Sequence, residues 1–156
     1  MKRIILIAAL AVVALLCCQC TTSKELRQAR KDAQSVPYTV LKNYYVRNDV
    51  NATKLQRLII DNEQDFNSYF GPAAVMGGLP TDINWKTQFV IAVVLPETER
   101  TTNVIPKDVK QSLGNVIFEY ALNKGHKTGY RQVPFLAVAV NRAADAQELQ
   151  VFFIEK

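Results

Sequence analysis

Phe89-Val90-Ile91-Ala92-Val93-Val94-Leu95 is apolar at every position. A strand with one wet face would alternate, so this run predicts cover on both faces and a central place in the core. Pro96 ends it, and Glu97-Thr98-Glu99-Arg100 reads as an exposed turn. Beyond it, Val104 to Val109 is interrupted by Pro106, which confines that segment to a sheet edge or a bulge. Gly114-Asn115 then opens a strand from Val116 to Leu122, with Val116, Phe118, Tyr120 and Leu122 on one face. Asn123-Lys124-Gly125 is expected to turn the chain. Gly129 to Val140 follows as a strand, broken or bulged at Pro134, with Phe135, Ala137 and Ala139 on one side and Leu136, Val138 and Val140 on the other. Asn141 to Gln147 turns again, and Leu149, Val151 and Phe153 mark a last strand.

Upstream of the central run, Tyr38 to Arg47 is rich in Tyr and Val and suits a strand. Asn48-Asp49-Val50-Asn51 supplies a turn, and Leu55 to Ile60 a second strand. Asp61-Asn62-Glu63-Gln64-Asp65 places a cap and early carboxylates before Phe66, Tyr69 and Phe70, the signature of a helix N-terminus. The same carboxylates in alternate spacing are weaker as calcium ligands, since a calcium loop needs a turn glycine and more oxygen donors. Gly71-Pro72 ends the helix, and a long loop runs through Gly77-Gly78-Leu79-Pro80. Its glycines lack the strand-then-helix frame of a phosphate cradle and read as turn glycines. Roughly seven strand candidates and one convincing helix predict the α+β class: a single domain, mainly antiparallel β-sheet packed against one helix.

The N-terminus carries a different signal. Lys2 and Arg3 precede an unbroken apolar run from Ile4 to Leu16, a secretory h-region by length and flanks. It is shorter than the roughly 20 apolar residues of a spanning helix. All three cysteines, Cys17, Cys18 and Cys20, lie at its end, so no disulfide staples the rest of the chain. Leu15-Leu16-Cys17-Cys18 resembles the lipobox of bacterial lipoproteins. Cys18, which follows the small Cys17, fits the acylated position best, although Cys17 and Cys20 stay open. Three segments are expected: a lipoprotein signal peptide over 1–17, a polar spacer over 18–36, and an α+β globular domain over 37–156. The stretch from Thr21 to Val36 is read as a spacer or a loose helix, without an apolar face wide enough to dock.

The 156 residues fit about one ordinary domain. Two charges of the net +5 belong to the leader. Basic residues cluster from Lys24 to Lys31, but Glu25 and Asp32 interrupt them and no aromatic residue is interleaved for base stacking, so no nucleic-acid partner is implied. Cys-Cys-x-Cys has no histidine near it to complete a metal site. The only histidine, His126, sits in a polar stretch without a nucleophile beside it, and Ser68 and Ser112 lack a nucleophile elbow. No catalytic residue, metal or cofactor is assigned. Glu97, Glu99 and Arg100 form a possible polar interaction site beyond the central strand, with Met76 and Leu79 of the long loop as further candidates.

Leu79-Pro80-Thr81-Asp82-Ile83-Asn84-Trp85, preceded by Phe70 and followed by the apolar strand from Phe89 to Val94, resembles small envelope lipoproteins of the Bacteroidetes. The chain is also similar to the C-terminal domain of the protease-complex subunit PrcB, in which a Pro-x-Asp-aromatic element precedes an apolar strand. The glycine-rich turn that follows the strand there is replaced here by Glu97-Thr98-Glu99-Arg100. The resemblance spans Leu55 to Ile154 and brings no catalytic residue with it.

The expected protein is a membrane-tethered lipoprotein of the bacterial cell envelope, held to the bilayer by acyl chains, palmitate among them, on the outer membrane. The reading leans against an enzyme and towards a binding or accessory module with an envelope protein partner. A small hydrolase acting on envelope glycan or peptide through Glu97, Glu99 or Glu119 is the alternative.

Overall fold

The computed structural model describes residues 24–73, 78–112, 114–143 and 149–156. Cys17, Cys18, Cys20 and Met76 lie outside these residues. The expected signal peptide over 1–17 lies outside them too, and among the described residues no helix is long and apolar enough to cross a membrane.

The apolar run forms β6 (Gln88–Val94), one of the two inner strands of a sheet ordered β2-β9-β6-β4, where β2 is Tyr38–Val40, β4 is Gln56–Ile60 and β9 is Phe135–Asn141. Both its faces are covered. Phe89, Ile91, Val93 and Leu95 point to one core, and Val90, Ala92 and Val94 to another. β9 repeats the division, with Leu136, Val138 and Val140 on the first side and Ala137 and Ala139 on the second. The alternating sides read from the sequence for this strand are those observed.

The first core lies between this sheet and a second one, ordered β1-β7-β8-β10 (Gln34–Ser35, Thr98–Ser112, Asn115–Gln132 and Gln150–Glu155). Val109 of β7 and Val116, Phe118 and Tyr120 of β8 fill it, all four at most 1% exposed. Each such side chain stabilises the fold by about 1.5–3 kcal/mol. The second core is closed by α2 (Glu63–Tyr69), by the small β3-β5 pair (Tyr44–Val46 and Phe70–Pro72), and by Trp85. Phe66 is its hub, with ring centroids 5.1 Å from Tyr44, 5.0 Å from Phe70 and 5.6 Å from Trp85. The helix starts where expected: Asn62 caps it by accepting from the Asp65 N–H at 2.8 Å, and Glu63 and Asp65 stand in the positive first turn.

The α+β class holds loosely, but the architecture is richer than one sheet on one helix. Two sheets stack face to face, and a second helix, α1 (residues 24–32), covers the outer face of the β7-β8 sheet. The helix is one of the two forms expected for that stretch, and its docking corrects the reading that its apolar face is too narrow to pack. Ala29 is 2% exposed against Ile117 and Phe152, with Leu26 and Ala33 beside it. Small residues suffice because the helix lies close to the sheet, so the narrow apolar face is enough.

Other boundaries also differ from expectation. Tyr38 to Arg47 is two strands in two sheets, because Asn43 takes a left-handed φ of 62° and redirects the chain. The Glu97–Arg100 and Asn123–Gly125 stretches are not turns. Thr98–Arg100 belongs to β7, which Glu97 immediately precedes, and Asn123–Gly125 to β8; the two strands continue far beyond the core as one antiparallel ribbon. Pro106 does sit at a register shift, as its type demands. Finally, β10 runs parallel to β8. The chain folds over at Pro134, so β9 ends near the start of β8, where Gln111 Nε2 donates to Asn141 O at 3.0 Å. The next strand re-enters there, with Gln150 N donating to Gly114 O at 3.0 Å, and must travel the same way as β8.

Candidate binding site at the ribbon corner

Where β6 and β9 leave their sheet, Leu95 N donates to Pro134 O at 2.9 Å and Glu97 N to Ala52 O at 2.9 Å. The two strands then continue as the outer ribbon of β7 and β8. Thr98 pairs with Gln132 but Arg100 pairs with Lys127, so residues 128–131 bulge from the ladder opposite Glu99. The bulge is tied down by side chains. The Thr128 hydroxyl lies 2.8 Å from Glu99 O and 2.7 Å from Tyr130 O and shares its hydrogen between them, and Gln132 Nε2 donates to Arg100 O at 2.7 Å.

On this frame Glu97, Glu99 and two cations form a chain of alternating charge. Arg131 reaches Glu97 at 3.3 Å and Glu99 at 3.9 Å, and Lys127 reaches Glu99 at 3.2 Å. All four side chains are about half exposed or more. Arg100 turns the other way and donates from Nη1 to Gly125 O at 3.3 Å. Beside it opens a cleft of about 390 Å³ with Leu55, Leu95, Pro96 and Leu122 as its apolar lining and Arg100, Lys124, Glu97 and Glu155 as its charges. Lys124 is exposed and takes part in no ion pair among the described residues. A larger groove of about 630 Å³ lies across Glu97, but its cation, Arg47, is committed to Asp49 at 3.1 Å. That hydrogen bond holds the Asp49 carboxyl below its ordinary range.

Of the residues singled out from the sequence, Glu97 and Glu99 are thus joined through Arg131, and Arg100 shares only the cleft with Glu97. Leu79 is not among the residues that line either cleft beside them. It stands 90% exposed on a separate, well-anchored loop: Asn43 Nδ2 donates to Leu79 O at 2.9 Å, Lys42 N to Thr81 Oγ1 at 2.9 Å, and Tyr44 OH to Thr81 O at 2.8 Å. Burial, then Asp82 and Glu63, push the Tyr44 phenol up. Glu119 is drawn off to the outer face of the β7-β8 sheet, 3.3 Å from Lys156 and 3.9 Å from Lys110. His126 is exposed in mid-strand, and among the described residues no three His, Cys, Asp or Glu side chains could hold a metal ion.

Arg131, Lys127, Thr128 and Lys124 were missed as site residues. Their signal was the facing of Glu97 and Glu99 by cations about thirty positions on, which acquires meaning only once the register is known. No family model, no curated protein and no solved structure matches the chain.

Proposed function

We propose that this protein is a lipid-tethered, non-enzymatic binding module of the bacterial cell envelope, acylated at Cys18, which engages an envelope protein through the ribbon corner. The observation that carries the binding reading is the pairing of a Leu-lined cleft with an uncommitted Lys124 beside a rigid, charge-laced ribbon. Apolar surface with a few placed polar groups is what a recognition site requires. The carboxylates point away from hydrolysis, since Glu97 and Glu99 neutralise Arg131 and Lys127 while Glu119 serves two lysines elsewhere. The lipobox-like Leu15-Leu16-Cys17-Cys18 supports the tether and an outer-membrane location, with palmitate among the acyl chains.

The test is capture from detergent-solubilised membranes of the native host. Wild-type protein should bring down a stoichiometric partner, and Lys124→Glu combined with Leu55→Asp, both exposed positions, should lose it while folding normally. Absence of such a partner, or one retained by the double variant, counts against the reading. Mass spectrometry of the mature N-terminus tests the acyl group separately.

A further inference from the structure

α1 is sorted by charge around its axis. Leu26, Ala29 and Ala33 face the sheet, whereas Lys24, Arg27 and Lys31, spaced i, i+3 and i+7, share the opposite side. The two acids are kept off that stripe. At 100° per residue Glu25 and Asp32 fall together on one flank, and Gln28 Nε2 holds the Asp32 carboxylate at 3.1 Å. All three cations are exposed, as is Arg30 on the other flank, and none of the four joins an ion pair among the described residues. A docked helix therefore presents a rigid row of uncompensated positive charge, and the sequence separates its first cation from Cys18 by only five residues.

We infer that this stripe is the face the protein lays on a bilayer rich in anionic lipid, which fixes the orientation of the tethered domain. The inference rests on the tether proposed above, because an acyl group at Cys18 stands close in sequence to α1, the first element among the described residues. Charge complementarity selects the occupant: phosphate headgroups offer a flat anionic plane, and a row of Lys and Arg gains attraction to it within a Debye length. The layers then stack outward in a set order. The β7-β8 sheet lies next to the membrane under α1, and α2 with Trp85 lies farthest from it.

The only tryptophan, Trp85, makes the orientation measurable. Acylated full-length protein is reconstituted into vesicles of brominated lipid, with or without an anionic component. Trp85 should escape quenching in both. In a Gln28→Trp, Trp85→Phe variant, the new indole should be quenched strongly in anionic vesicles and weakly in neutral ones. Adding Lys24→Gln, Arg27→Gln and Lys31→Gln should abolish that difference while the protein stays vesicle-bound. Equal quenching in both lipids, no effect of the triple change, or quenching of Trp85 instead would overturn the inference.

Should the chain prove to carry no acyl group, the tether fails but the stripe is still tested by partitioning of the chain. Affinity for anionic vesicles should then fall roughly 100-fold on the triple change, and affinity indifferent to it refutes the face.

Discussion

The β7-β8 hairpin is one ladder with two characters. Near its closed end, residues 104–112 and 115–122 lie over the other sheet, and Val109, Val116, Phe118 and Tyr120 are fully buried. Past the Thr102–Lys124 pairing, the same two strands run on with most residues exposed and none buried, and ion pairs replace packing. Backbone pairing is common to both halves. What differs is whether a second layer lies beneath, and so whether cross-strand neighbours are chosen for volume or for charge. A surface held by charge contributes little to stability and is free to be specified by a partner.

The comparison fails most visibly at its buried end. Phe118→Ala removes a ring stacked at 5.8 Å on Tyr120 and edge-on to Phe153 at 6.1 Å. It should cost about 3–5 kcal/mol in a urea or guanidinium titration, and a loss under about 1 kcal/mol would mean that the two halves are alike. The outer face of the buried half is probed by Ala29→Asp, which puts a carboxylate where α1 meets Ile117 and Phe152. A loss of about 1–3 kcal/mol is expected. A neutral result would return residues 24–32 to the status of a spacer. At the exposed end, Arg131→Ala breaks contacts to both Glu97 and Glu99 yet should cost less than about 1 kcal/mol, an effect that added salt erases. A larger cost would show that the ribbon is structural in its own right.

These contrasts also show what was legible beforehand. The burial of the central strand, the two-sided pattern of Phe135 to Val140, the Asn62 cap and the irregularity at Pro106 were all readable, since each follows from a local rule of side-chain period or backbone stereochemistry. The ribbon was not. Glu97-Thr98-Glu99-Arg100 and Asn123-Lys124-Gly125 have the composition of turns, and they are polar because nothing covers them, which a solvated strand and a solvated turn share. Glu97 and Glu99 share Arg131 while Arg100 turns away to Gly125 O, Leu79 belongs to a different surface, and Met76 lies outside the described residues. α1 was misjudged for a related reason: an apolar face of Leu26, Ala29 and Ala33 is too narrow to show in a polar segment, and it is adequate only against a flat sheet that comes close.

By itself, then, the sequence determined which segments must be buried, where the short helix begins, and that the chain's only cysteines follow an apolar N-terminal run, because those properties reside in contiguous residues. Tertiary structure alone decided that two sheets stack, that β10 runs parallel to β8, that cations near residue 130 meet carboxylates near residue 98, and that α1 turns Lys24, Arg27 and Lys31 away from the sheet. Each of these depends on register or on the docking of distant elements, and neither is encoded in the local period of any one strand or helix.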